Sequence, residues 1–167
     1  MKKLILLNGT MGAGKTTISQ ELLQLLQPGV FLDGDWCWNM NPFIVNEETR
    51  QIVLKNICFM LNSFINCSEY KYIIFCWVMH QEEIISEILK HLNLENIKTY
   101  IFTLTLTEAA LSKRLMKDIA RHQRTLDVLE RSIKRIGLYK NMDTSKIDVS
   151  DITPFQAAKK IAELVSK

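Results

Sequence analysis

The chain has 167 residues, of which 47% are hydrophobic and 23% charged, and its formal net charge is +3. This size and composition predict one globular domain and exclude disordered and fibrous classes. Its four cysteines form no C-x-x-C pair and have no ligand spacing to the three histidines, so we expect no structural zinc site. Because no segment approaches the ~20 apolar residues of a membrane span, we expect a cytoplasmic protein with reduced thiols and no membrane partner.

Apolar runs and helical spacings alternate along the chain. The run Leu4–Leu7 predicts a buried strand, and apolar residues from Ile18 to Leu26 recur at the spacing of a helix that Pro28 ends. The later predicted elements are a strand at Val30–Leu32, a helix at about Glu47–Ile65, a strand at Tyr72–Val78, a helix at Gln81–Leu92, a strand at Ile97–Leu106, helices from Thr107 to about Arg124 and over Asp127–Leu138, a strand at Lys146–Val149, and a last helix that begins with the capping box Thr153-Pro154-Phe155-Gln156.

Strands that are apolar throughout, separated by helices, indicate a parallel sheet covered by helices on both faces. We therefore predict a three-layer α/β fold with about five strands. The sequence has no internal repeat, low-complexity tract or linker, so residues 1–167 are expected to form a single domain. Sheets of this kind bind ligands at the carboxyl ends of their strands.

The segment Gly9–Thr16 matches G-x-x-x-x-G-K-[ST] and lies between the first predicted strand and the first predicted helix. In that position the backbone N–H groups cradle phosphate oxygens, the helix N-terminus adds partial positive charge, and Lys15 reaches the β- and γ-phosphates. Thr16 offers a hydroxyl to Mg²⁺. The predicted nucleotide-binding residues are Gly9, Met11, Gly12, Ala13, Gly14, Lys15, Thr16 and Thr17.

The chain resembles the small P-loop kinases, a group that includes shikimate, gluconate, adenylylsulfate and adenylate kinases and antibiotic phosphotransferases. It lacks the guanine-reading N-K-x-D motif of GTPases. The resemblance covers essentially the whole chain and implies a P-loop NTPase fold, ATP and Mg²⁺ as cofactors, and transfer of the γ-phosphoryl group to a hydroxyl of a small molecule. It is carried by Gly9–Thr16, Asp33-Gly34-Asp35, Arg114–Arg124, Arg131–Arg135 and Ile147–Ser150, the last where such kinases hold adenine with backbone groups.

Two aspartates, Asp33 and Asp35, follow the second predicted strand. Residues two apart in an extended backbone point the same way, so one carboxylate can hold the waters of Mg²⁺ while the other orients an acceptor hydroxyl. The residues leave open which aspartate has which role. Thr16 and Asp35 are the named metal candidates, and both aspartates are candidates for catalysis and for contact with the acceptor.

The third predicted strand ends without a Walker B aspartate and has Trp77 and His80 nearby instead. Shikimate kinases have a glycine cluster near this point, which argues against shikimate as the acceptor. Trp36, Trp38 and Phe43 follow the aspartates, and such flat apolar side chains suit an acceptor that contains a ring. The predicted acceptor site is a subdomain over 33–66, and its candidate residues are Asp33, Asp35, Trp36, Trp38, Trp77 and His80.

The +3 charge is unevenly distributed. Residues 111–140 contain nine Lys or Arg and three Asp or Glu, a local charge of +6 that leaves −3 for the remainder. The resemblance implies that residues 112–126 form a helical lid whose arginines neutralise charge on the transferring phosphoryl group. The candidate catalytic arginines are Arg114, Arg121 and Arg124, with Arg135 as a further partner.

Two alternatives remain open at this stage. The basic stretch of a polynucleotide 5′-end kinase would follow a nucleic acid backbone, but this one lacks the interleaved aromatic residues that stack exposed bases, so we expect no nucleic acid partner. A nucleotide-binding switch without enzymatic activity would explain the missing Walker B carboxylate. The sequence indicates neither the identity of the acceptor nor the oligomeric state.

Overall fold

The computed structural model describes residues 1–122 and 124–166. The elements in chain order are β1 (Lys2–Asn8), α1 (Lys15–Leu25), β2 (Gly29–Asp33), a 3₁₀ turn (Gly34–Trp38), α2 (Glu47–Asn66), β3 (Tyr72–Cys76), α3 (Glu82–Lys90), β4 (Ile97–Thr105), α4 (Glu108–Ala120), α5 (Leu126–Asn141), β5 (Ser145–Asp148) and α6 (Pro154–Ser166). The strands form one parallel sheet in the order β2-β3-β1-β4-β5. This is the α/β fold that the sequence predicts.

Helices cover both faces of the sheet because the strands are apolar on both sides. Ile5 and Leu7 of β1 belong to the hydrophobic cluster that includes residues of α1, α4 and α6. The alternating residues Leu4 and Leu6 belong to a second cluster, which includes residues of α2 and α3. All four side chains are fully buried. Two cores on opposite faces make up the predicted three layers.

Several predicted elements end earlier in the structure, and two of them have an identifiable local reason. The third strand ends at Cys76 rather than Val78. The N–H of Trp77 still donates to the Leu7 carbonyl, but residues 77–80 have no regular secondary structure. Helix α4 ends at Ala120 rather than about Arg124, and His122 just beyond it has a φ of 56°. A residue in this left-handed conformation commonly ends a helix.

The last helix begins as predicted. The Thr153 hydroxyl accepts a hydrogen bond from the Gln156 N–H at 3.2 Å, and the Gln156 side chain accepts one from the Thr153 N–H at 2.8 Å. This reciprocal capping box satisfies two N–H groups that the helix itself leaves free.

The strand register brings three chain segments together. Cys76 at the end of β3 is paired with Leu7 on one side and with Asp33 on the other. The loop after β1, the turn after β2 and the segment after β3 therefore meet at one edge of the sheet, where parallel α/β sheets bind ligands. Over the described ranges, no helix has the length and apolar character needed to cross a membrane.

Candidate active site

The loop after β1 has the backbone conformation of a phosphate cradle. Gly12 and Gly14 have φ values of 81° and 93°, in the left-handed region that favours glycine. A Cβ atom on Gly12 would lie 2.7 Å from Cδ2 of Leu115 in α4, so the loop also packs too closely against that helix for a larger residue. The positive φ favours glycine at both motif positions, and the close packing adds a second constraint at Gly12.

Lys15 is the first residue of α1, and its side chain returns to this loop. Its Nζ donates hydrogen bonds to the carbonyl oxygens of Gly9 at 3.0 Å and Thr10 at 3.1 Å. Burial lowers the pKa of Lys15, while the negative charges of Asp35 and Asp33 oppose that shift. The ammonium group is therefore held between the loop and the two aspartates, where the sequence predicts it to meet phosphate groups.

Asn8, the last residue of β1, is a structural residue of the site that lies outside the phosphate-loop motif. It is fully buried, and its Oδ1 accepts hydrogen bonds from the N–H of Gly9 at 2.8 Å and of Met79 at 2.9 Å. One carboxamide thus joins the phosphate loop to the segment after β3. The sequence signal for it is a polar residue that ends an otherwise apolar buried strand.

The structure separates the two aspartates into different environments. Asp33 is buried, its Oδ2 accepts a 2.6 Å hydrogen bond from the Thr16 hydroxyl, and its Oδ1 accepts one from the Asp35 N–H at 3.0 Å. Asp35 is more exposed and faces a cavity. Loss of solvation and the charge of Asp33 raise the pKa of Asp35, and Lys15 opposes that rise. The sequence pairs Thr16 with Asp35 as metal candidates, whereas the geometry brings Thr16 onto Asp33.

These groups fit a magnesium ion. A hydroxyl oxygen and a carboxylate oxygen 2.6 Å apart beside a phosphate loop are the oxygen donors that Mg²⁺ uses, usually with substrate phosphates and water as its other ligands. Among the described residues there is no cluster of three or more His, Cys, Asp or Glu side chains able to hold a metal.

Cys76 is the strand-end residue of β3. Burial and the neighbouring Asp33 charge raise the pKa of its thiol to about 12. The thiol is therefore uncharged at neutral pH. Asp33 and Asp35 supply the negative charge that acts on Lys15 at this edge.

A first cavity of about 670 Å³ opens beside the aspartates. The predicted aromatic residues form part of its wall, and the rings of Trp38 and Phe43 are 5.7 Å apart. The structure thus brings the aspartates and these aromatic side chains to one cavity. Its lining residues are Met11, Asp33, Asp35, Trp36, Trp38, Asn39, Phe43 and Val78.

Trp77 and His80 line a different, second cavity of about 770 Å³. Trp77 also packs against the turn after β2, since a Cβ atom on Gly34 would lie 2.5 Å from Cγ of its indole ring. Trp38 and Val78 line both cavities, so the two spaces adjoin.

The three predicted arginines have different surroundings. Arg114 donates hydrogen bonds to the carbonyl oxygens of Ala13, at 3.2 Å, and of Val149. It lines a small cavity of about 180 Å³ together with Gly12, Ala13, Gly14, Thr17, Ile18, Val149, Ile152 and Pro154. This cavity adjoins the predicted adenine segment.

Arg124 reaches the phosphate loop. Its guanidinium lies 3.6 Å from the sulfur of Met11 and 3.4 Å from a carboxylate oxygen of Asp118, and its charge contributes to the lowered pKa of Lys15. Arg121 is exposed at the end of α4. Of the predicted pair Arg121 and Arg124, the structure brings Arg124 to the site.

Solved structures of kinases resemble this chain. A sugar kinase from a Janibacter species is 13% identical with a TM-score of 0.72, and the match covers 99% of this chain and 95% of that one. An APS kinase from Mycobacterium tuberculosis, in complex with AMPPNP and APS, is 14% identical with a TM-score of 0.69, covering 99% and 98%. A tunicamycin resistance protein from Deinococcus radiodurans is 14% identical with a TM-score of 0.69, covering 99% and 96%.

These similarities confirm the predicted likeness to the P-loop kinases at the level of the fold. A comparison with curated proteins found no match. A sequence profile described as an AAA domain matches residues 5–134. The matched range holds the phosphate loop, the paired aspartates and the arginines near the loop, and the chain therefore belongs to this AAA domain family.

Proposed function

We propose that the protein is an ATP- and Mg²⁺-dependent phosphotransferase that moves the γ-phosphoryl group to a hydroxyl of a small molecule. The observation that carries this proposal is the arrangement of Lys15 and the phosphate loop opposite Asp33 and Asp35, with a cavity large enough for an acceptor beside them. The kinase folds of the similar structures support the same class of activity.

In this proposal the phosphate loop and Lys15 bind the phosphates of ATP, and the base enters the space beside Arg114 and Val149. Met11 of the loop lines the first cavity, and Thr17 at the start of α1 lines the small cavity. Residues 112–126, of which Gln123 lies outside the described residues, act as the lid, and the buried side chain of Leu115 anchors its base. Arg124 approaches the γ-phosphate, and we assign Arg121 to closure of the lid over the nucleotide.

The acceptor oxygen attacks the γ-phosphorus, the bond from that phosphorus to the β–γ bridging oxygen breaks, and ADP leaves with the electron pair. Asp35 orients the acceptor hydroxyl and takes its proton, for which its raised pKa suits it. Thr16 and Asp33 would hold Mg²⁺, which neutralises phosphate charge when bound. Lys15 and Arg124 stabilise the negative charge of the transferred group.

The first cavity suits an acceptor that contains a ring. Trp36, Trp38 and Phe43 offer flat apolar surface beside Asp35, and Trp36 and Phe43 are exposed by 56% and 67%. Exposed aromatic side chains that converge on a cavity are characteristic of a ligand site rather than of core packing. We therefore propose residues 33–66 as the acceptor subdomain. We also propose that the enzyme is cytoplasmic.

The test is an ADP-release assay with an acceptor panel of nucleosides, sugar acids, antibiotics and hydroxyl-bearing amino acids. We expect at least one acceptor to stimulate ADP release, and Lys15→Ala to reduce that turnover by more than about a hundredfold because charge stabilisation of the transferred group is lost. The matched control is Lys159→Ala, an exposed lysine of α6, which should leave the rate unchanged. Unchanged ATP binding and turnover in Lys15→Ala would contradict the proposal, and ATP binding without any acceptor-stimulated turnover would indicate a nucleotide-binding switch.

A further inference from the structure

The second cavity extends the acceptor site beyond the aromatic wall. Trp38 and Val78 line both this cavity and the first cavity, which contains Asp33 and Asp35, so the two spaces adjoin. A molecule whose hydroxyl reaches Asp35 can therefore place its remaining atoms in the second cavity. The inference that follows rests on the proposed function and names the chemical class of its acceptor.

Arg135 in α5 contributes a half-buried positive charge to the second cavity. Arg131 and Lys134 on the same helix pair with acids one turn earlier, at 3.0 and 2.5 Å, whereas within residues 1–122 and 124–166 Arg135 forms no ion pair. A partly buried charge without a partner is unfavourable, and such groups are frequent in ligand sites. The cavity wall thus offers a guanidinium to a bound anion.

His80 lies beside Arg135 in the same wall. Its Nδ1 is buried and has no hydrogen-bond partner among the described residues. Loss of solvation and the charge of Arg135 lower the pKa of His80, so its ring is neutral at neutral pH. A neutral imidazole in the cavity wall is a hydrogen-bonding group for a ligand next to the guanidinium.

Arg50 in α2 lines the cavity from another element. Its side chain makes no ion pair in the described part of the chain. Two guanidinium groups from α2 and α5 therefore face one space. Guanidinium groups bind oxyanions such as carboxylates with paired, charge-assisted hydrogen bonds, so a carboxylate is a matching anion for this pair.

The same cavity also contains two carboxylates, Glu83 and Glu87, one turn apart on α3. Glu87 contacts only the half-exposed ring of His91, at 3.5 Å, among the ion pairs of the described residues. The wall thus has two positive and two negative side chains, with the indole groups of Trp38 and Trp77 beside them. A purely anionic or purely cationic ligand would leave one of these pairs unmatched.

We propose that the acceptor is a zwitterion of the amino acid type. Its carboxylate binds Arg135 and Arg50, its ammonium group binds Glu83 and Glu87, and the hydroxyl to be phosphorylated extends past Trp38 to Asp35. This arrangement satisfies all four charged side chains with one small molecule. It also explains the need for two adjoining cavities, one for recognition and one for transfer.

The test uses matched acceptors in the ADP-release assay. One series is L-tyrosine, tyramine and 3-(4-hydroxyphenyl)propionate, and the other is L-homoserine, 3-aminopropan-1-ol and 4-hydroxybutyrate. Within each series the hydroxyl is constant and only the charged groups change. We expect the zwitterion of at least one series to have a kcat/KM about tenfold or more above both of its analogues, because each charged contact is worth about that factor.

Variants of the charged cavity residues test which side chain binds which charged group of the acceptor. Arg135→Gln should raise the KM of the zwitterion about tenfold and remove its advantage over the amine, while the KM of ATP changes less than about twofold. In the double variant Glu83→Gln with Glu87→Gln, the kcat/KM of the zwitterion should no longer exceed that of the acid. The controls are Arg131→Gln, one turn away on α5, and the exposed Glu95→Gln, neither of which lines the cavity.

Several results would overturn this assignment. One such result is a higher kcat/KM for the acid or the amine than for the zwitterion. Another is phosphorylation of nucleosides or sugars with no turnover of either series. Both results leave the proposed function intact but exclude a zwitterionic acceptor. If Arg135→Gln raises the KM of all three members of a series equally, Arg135 has a structural role only. An absence of turnover with every class of hydroxyl compound would overturn the proposed function as well.

Discussion

At the scale of single residues, two aspartates only two positions apart have different chemical properties. Asp33 is buried and accepts hydrogen bonds from the Thr16 hydroxyl and the Asp35 N–H, whereas Asp35 faces the first cavity. The spacing predicts both side chains at the site, but it contains no information about which one Thr16 contacts. That contact depends on the parallel register of β2 beside β3 and on where α1 begins.

Replacing Asp35 by Asn tests its raised pKa. A carboxyl whose pKa is higher in the folded chain destabilises the fold when ionised, at pH values above that pKa. We expect Asp35→Asn to raise the melting temperature at about pH 7.5, and the gain to shrink as the pH falls through the raised pKa. Below the ordinary value of 3.8 the gain should vanish, because the carboxyl is then protonated in both states.

Asp148→Asn is the control, and its expected change in melting temperature has the opposite sign. Hydrogen bonds from Ser150 lower the pKa of Asp148, so its ionised form stabilises the fold, and its loss should lower the melting temperature at the same pH. Thermal unfolding of both variants across the pH range measures the two effects. Shifts in the same direction at about pH 7.5 would contradict the assignment.

Asn8 is expected to be the most sensitive polar residue outside the motif. Asn8→Ala leaves the N–H groups of Gly9 and Met79 without their shared acceptor in a fully buried place. Unsatisfied buried groups are costly, so we expect a loss of about 2–4 kcal/mol of unfolding free energy in urea titrations.

Asn62→Ala is the matched control for Asn8→Ala. The Asn62 side chain also bridges two backbone groups, the His91 carbonyl and the Asn93 N–H, both at 2.9 Å, but water can replace it near the surface. We expect Asn62→Ala to lower the free energy of unfolding by less than about 1 kcal/mol. Equal losses in the two variants would show that burial of Asn8 is not the cause.

At the scale of elements, the apolar pattern predicts every strand of the sheet, and the capping box predicts the start of α6. The ends of β3 and α4 differ from the prediction because they depend on where the backbone pairing of β3 with β1 stops, at Trp77, and on the left-handed conformation of His122. Neither residue type marks a boundary in a sequence. The tight packing of Trp77 on Gly34 is also invisible in the sequence, because it joins residues of two different loops.

Gly34→Ala tests that contact between elements. The new Cβ atom would lie 2.5 Å from Cγ of Trp77, so the indole ring must move. We expect a loss of about 1–3 kcal/mol of stability and a shift in tryptophan fluorescence. Since Trp77 lines the second cavity, the KM of the acceptor should rise as well.

Gly137→Ala is the control within the same experiment. A Cβ atom there meets nothing within 4 Å, and Gly137 lies inside α5. Alanine in a helix interior stabilises by about 0.5–1 kcal/mol relative to glycine. A destabilised Gly137→Ala, or an unaffected Gly34→Ala, would contradict this account of the turn.

At the scale of the whole molecule, the sequence predicts the site's location but not its cavities. Gly9–Thr16 and the two aspartates fall at the ends of predicted parallel strands, which is sufficient to bring them together. The second cavity combines Arg50, Glu83 and Arg135 from three helices. No local spacing relates these residues, so only the packed fold reveals them.

The folded chain also reduces the charge that residues 111–140 can offer to a polymer. Arg114 donates to backbone carbonyl oxygens, and Arg124, Arg131 and Lys134 lie beside carboxylates. A surface that binds nucleic acid needs several free cations along one path, because affinity comes from displaced counterions. The pairing of these side chains therefore favours a single nucleotide as the phosphate ligand.

This difference can be measured by salt dependence. We expect a labelled single-stranded oligonucleotide to show no binding in fluorescence anisotropy at about 150 mM salt, while an ATP analogue with Mg²⁺ still raises the melting temperature. Lys15→Ala should remove the effect of the analogue, because the ammonium group lies within the phosphate loop. Oligonucleotide binding that falls about a thousandfold or more between 50 and 200 mM salt would instead mean that the basic stretch follows a polymer backbone, as in a polynucleotide 5′-end kinase.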